Sequence, residues 1–70
     1  MTVFLYKFTN CDYWHAFNKK QLNGSYLDGL LLTASTKNQL VDLVRERIKK
    51  TKKIIVMNWD GSQFIQTETL

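Results

Sequence analysis

The chain lacks proline altogether, and its 70 residues include only three glycines, one cysteine and one histidine. A lone cysteine excludes an internal disulfide. A zinc site needs four ligands, or three and a water, so Cys11 and His15 make half a site at most. The longest apolar run, Leu30-Leu31-Leu32, falls far short of the roughly 20 residues that span a bilayer, which excludes a membrane helix. The spacings G-x-G-x-x-G and G-x-x-x-x-G-K are absent, so no glycine-rich loop is set to cradle a phosphate. No early apolar run is flanked like a signal peptide, and the expectation is a cytoplasmic protein. There is no low-complexity tract, internal repeat or linker.

What is present is organised around one amphipathic stretch, from Thr36 to about Lys50. Leu40, Val41, Leu43, Val44 and Ile48 recur at three- and four-residue steps, with Asn38, Asp42, Arg45, Glu46 and Lys49 outside the stripe, which predicts a helix with one apolar side. Thr36 and Gln39 have the spacing of a capping box. The helix needs a sheet to cover it, and 70 residues allow little more than one helix layer on one sheet in a single domain.

The sheet is legible in several runs. Thr2 to Phe8 alternates, with Phe4, Tyr6 and Phe8 on one side and Val3, Leu5 and Lys7 on the other, so neither side is wholly polar. Such a strand is central, or has its second face covered. Residues 9–25 admit two readings. In one, Asp12 caps a short helix that places Tyr13, Trp14, Phe17 and Gln21 on one side, closed by Asn23 and Gly24. In the other, favoured here, Asn23-Gly24 is a hairpin turn that sets Leu22 opposite Ser25, Lys19 opposite Asp28 and Phe17 opposite Leu30. Leu27 to Ala34 is then a strand, with Gly29 marking a bulge or a close backbone approach. Ile54 to Trp59 and Ser62 to Thr67 form a second hairpin, in which an Asp60-Gly61 turn would set Met57 against Phe64 and Val56 against Ile65. Glu68, Thr69 and Leu70 are expected to fray. The fold class is therefore α+β, a small two-layer sandwich with the order strand, strand or short helix, strand, helix, strand, strand, and mostly antiparallel pairing.

The candidate chemistry is sparse. Cys11 and His15 would share a side of a helix, as a nucleophile and base would need, but an extended backbone would part them; an ordinary thiol beside a surface histidine is the plainer reading. Asp42 and Glu46 have basic residues at helical spacing, Arg45 for the first and Lys49 and Lys50 for the second, which suits solvated surface pairs better than an acid and base pair. No catalytic residue, metal or cofactor is expected.

Two binding features remain. Arg45, Arg47, Lys49, Lys50, Lys52 and Lys53 form a basic run in a chain with 10 Lys and Arg against 6 Asp and Glu. It can supply phosphate contacts for nucleic acid, or simply complement the helix dipole. Nine aromatics are more than one helix-covered face can hold, so some lie at the surface. Tyr13, Trp14, Phe17, Tyr26 and Trp59 are the candidates for a partner-binding patch, because exposed Tyr and Trp beside charge are what protein interfaces are rich in. In size, lack of proline, aromatic richness and want of a catalytic set, the chain resembles the stand-alone proteins that bacteriophages and mobile elements make to block a host factor. The expectation is a non-enzymatic module that binds a host or cellular protein, with a small nucleic-acid binder as the alternative.

Overall fold

The computed structural model describes residues 1–21 and 28–70. It has one helix on a five-stranded sheet: β1 (Thr2–Lys7), β2 (Trp14–Phe17), β3 (Leu30–Ala34), α1 (Lys37–Arg47), β4 (Lys53–Trp59) and β5 (Phe64–Thr69). The sheet order is β3-β2-β1-β4-β5. β1 and β4 are parallel and the other pairings antiparallel. The two-layer α+β architecture read from the sequence is thus observed. β1 is the central strand, which explains why neither of its sides is polar.

Residues Trp14 to Phe17 are extended, so the short-helix alternative is set aside. Phe17 pairs with Leu30, Asn18 N–H donates to Gly29 O, and Lys19 forms an ion pair with Asp28. The rungs expected for the first hairpin are therefore in place. Its Asn23-Gly24 tip, with the Leu22 and Ser25 rung and Tyr26, lies outside the described residues. Gly29 has φ +80, and a Cβ there would collide with Asn18 Oδ1. It marks a close approach, while the irregularity in the ladder is the extra residue Leu31, between Leu30 opposite Phe17 and Leu32 opposite Ala16.

Four features differ from expectation. β3 begins at Leu30, with Asp28 and Gly29 in a turn, where a strand from Leu27 was expected. α1 ends at Arg47, with Ile48 as its C-cap, rather than near Lys50. The chain must turn there to enter β4: Thr51 N–H donates to Ile48 O, and Lys52 N–H to Met1 O. The second hairpin is shifted by two residues, since Trp59 pairs with Phe64 and Asn58 with Ile65. The Asp60 carboxylate accepts from the amides of Ser62 and Gln63, making a four-residue loop where a two-residue turn was expected. The same two amides hold the Asp60 carboxyl below its ordinary pKa. Nor do the last residues fray: Glu68 and Thr69 belong to β5, and Leu70 exchanges both backbone hydrogen bonds with Ile54.

The inner strands β2, β1 and β4 are buried on both faces by different means. Against α1, Val3, Leu5, Ala16, Ile54 and Val56 pack with Leu40, Val41 and Val44; Trp14 and Ile48 lie at the margin. Thr36 caps this helix by accepting from Gln39 N–H at 3.1 Å. On the other face Tyr6, Phe17 and Met57 are buried among Phe4, Phe8, Ile55 and Phe64. Gln21 N–H donates to the Tyr6 hydroxyl, so the arm after Asn18 bends over this aromatic face.

Candidate functional site

Parallel pairing of β1 and β4 gives the sheet two distinct ends. At one, Lys53 lies beside Thr2; at the other, Trp59 is the last residue of β4, and Tyr13 directly precedes Trp14, which pairs with Lys7 at the end of β1. Six strand residues put these ends roughly 17 Å apart.

The far end is aromatic. Trp59 is 44% exposed and Tyr13 56%. Trp59 meets Phe64 edge-on at 5.1 Å, and Phe64 in turn meets Tyr6 at 5.1 Å and Phe8 at 5.7 Å. The exposed indole thus rests on an array of rings that continues into the buried face, which restrains its orientation. The remaining candidates part company. Phe17 is fully buried and belongs to the core, not to a surface patch. Trp14 is half-buried and packs on the α1 side. Sequence reasoning missed Phe64 and Phe8 as the support beneath Trp59; the signal was the common alternation of Phe4, Tyr6 and Phe8 with Ile55, Met57 and Trp59.

Cys11 and His15 do come together, contrary to the expectation that an extended backbone would separate them. Cys11 N–H donates to Phe8 O, and this turn before β2 brings Sγ within 3.9 Å of His15 Nε2. His15 is buried, not a surface residue, stacked near Phe17 and edge-on to Phe8. Its Nδ1 lies 3.1 Å from the Tyr13 carbonyl, which can only accept, so Nδ1 carries a proton. The pair fixes the loop before Trp14. Among the described residues, no group of three or more His, Cys, Asp or Glu could hold a metal ion.

The near end is basic. Arg45, Arg47, Lys49, Lys50, Lys52 and Lys53 are all exposed. Only Arg45 and Arg47 stand in the last helical turn, so dipole compensation does not account for the four lysines beyond it. The turn that holds them is tied to the start of β1, with Met1 N donating to Lys50 O and Lys52 N–H to Met1 O. Among the described residues the ion pairs are Lys19–Asp28 and Lys37–Glu68, not the pairs that helical spacing suggested. None of the six cations is in an ion pair there.

No family model, curated protein or solved structure matches this chain. No helix among the described residues is long and apolar enough to cross a membrane.

Proposed function

We propose that this chain is a non-enzymatic protein-binding module that works by covering part of a partner's surface, as a phage- or mobile-element-encoded inhibitor would block a host protein in the cytoplasm. The observation that carries this reading is the exposed Trp59, held edge-on against Phe64 at the end of the sheet that also presents Tyr13. An aromatic ring restrained beneath and open above loses little rotamer freedom on binding, which is the character of an interface anchor. Tyr26, part of the same expected patch, lies outside the described residues.

A second reading is supported by the six exposed cations at the other end, which have no ion-pair partner among the described residues. There the partner would be nucleic acid, held through its phosphates.

Capture from lysate with and without nuclease, repeated at low and moderate salt, separates the two. Under the first reading, capture survives nuclease, and Trp59→Ala or Tyr13→Ala weakens it by about 2 kcal/mol, roughly thirtyfold. Changing Lys49, Lys50, Lys52 and Lys53 to Gln then alters mainly the on-rate. Nuclease-sensitive capture with a steep salt slope, flattened by the lysine changes and indifferent to the aromatic ones, means the first reading is wrong.

A further inference from the structure

The two edges of the sheet are built differently. β5 carries Gln66, Thr67, Glu68 and Thr69; Glu68 is held by Lys37, and Thr67 accepts from Asn58 Nδ2. β3 reads Leu30-Leu31-Leu32-Thr33-Ala34, with no charge, and among the described residues it pairs only with β2. An apolar edge strand presents a row of unpaired N–H and C=O groups, and folded chains usually guard such an edge with charge, proline or a covering segment. Among the described residues the one guard is the bulge at Leu31. Beside this edge runs an open groove of about 440 Å³, lined by Thr33 and Ala34 of β3 and by Gln39, Asp42 and Leu43 of α1. Ala34 and Leu43 are half-buried and give it an apolar floor. Asp42 is exposed on its rim and makes no ion pair among the described residues.

We infer that this edge takes up an extended segment of a partner protein, whose main chain pairs with β3. One apolar side chain of that segment fills the groove over Ala34 and Leu43, and a Lys or Arg beside it meets Asp42. Charge decides between occupants. A second copy of β3 brings no basic residue to Asp42, whereas a strand with Lys or Arg beside its apolar residue does, so at Asp42 the edge is complementary to a basic strand from elsewhere. The inference uses a different surface from the aromatic end and shares with it only the class of partner.

The test is fluorescence anisotropy with labelled, acetylated peptides of about ten alternating Val and Thr residues, bearing either Lys or Glu at the centre. Saturable binding is expected, with the Lys peptide roughly fivefold tighter than the Glu peptide. Asp42→Lys should reverse that order. N-methylation of the amides along one edge of the peptide should abolish binding, and along its other edge should leave it. Trp59→Ala should leave peptide affinity unchanged, so the two surfaces fail or stand separately. Equal affinities that ignore Asp42→Lys overturn the inference, as does the absence of saturable binding up to about 1 mM. A sedimenting dimer that the Lys peptide fails to dissociate, or loss of the peptide in Trp59→Ala, overturns it as well.

Discussion

The two faces of the sheet reach the same dryness with different side chains. Val3, Leu5, Ile54 and Val56 lie under an eleven-residue helix that contributes Leu40, Val41 and Val44. Tyr6, Phe17 and Met57 are as well buried, yet among the described residues no helix covers them. They are closed by rings on rings: Tyr6 meets Phe17 edge-on at 5.6 Å, and Phe8 meets Phe17 at 6.0 Å. Branched aliphatic side chains are short and need a second element to exclude water. An aromatic side chain buries about 150 to 250 Å², so a few of them with one bent arm can close a face. Such a face has an open margin where the rings run out, and Trp59 stands there.

The comparison breaks most readily through its two centres. Phe17→Ala should cost about 3 to 5 kcal/mol and Leu40→Ala about 2 to 5, since both side chains are fully buried. A chain of this size is stable by roughly 4 to 10 kcal/mol, so urea midpoints must fall steeply in both. Ile48→Ala should cost less, because Ile48 is the half-buried C-cap and not a full member of the stripe. If Phe17→Ala unfolds at the parent's midpoint, the aromatic face is a veneer and α1 alone holds the fold.

Much of this was legible in the chain because period and pairing are local signals. The recurrence from Leu40 to Val44 located the helix, and the alternation from Phe4 to Phe8 implied a strand covered on both sides. The rungs Phe17 with Leu30 and Lys19 with Asp28 follow from counting back from one turn. What escaped depended on contacts distant in sequence, or on a side chain competing with the backbone. The Asp60 carboxylate lengthens the second loop and shifts its register by two from Trp59 to Met57, and a bulge between Met57 and Val56 shifts it by one more, so that Val56 faces Glu68. Leu70 is held by a pair of backbone hydrogen bonds to Ile54, sixteen residues back. Of the candidate site, the basic run was plain, but the four described aromatics parted into core (Phe17), margin (Trp14) and surface (Tyr13 and Trp59) according to pairings that no local pattern carries.

A smaller change should loosen one face only. Gly29 sits at φ +80, where the arm turns beside Asn18. Gly29→Ala places a Cβ in left-handed backbone at a cost of about 1 to 2 kcal/mol. The loss should appear as faster amide exchange at Asn18 and Gln21, with the amides of α1 lagging behind. Uniform acceleration across both layers would show that the two faces open as one unit.

The smallest effect singles out the aromatic face through one hydroxyl. Tyr6→Phe removes the acceptor of Gln21 N–H and should cost about 0.5 to 1.5 kcal/mol near neutral pH. Burial raises the Tyr6 pKa, against a lesser lowering by the Gln21 amide. Because the folded value lies above the unfolded one, the native state holds its proton when the unfolded chain has released it. This contribution is fully present below the ordinary tyrosine pKa, near 10. It begins to be lost as the unfolded chain ionises and is gone once pH passes the raised folded value. The parent should therefore lose urea stability more steeply than Tyr6→Phe above about pH 10, and the gap between the two should narrow there. Parallel slopes for parent and Tyr6→Phe would mean that the ring array admits water to the hydroxyl, and the two faces would then differ in dryness as well as in side chains.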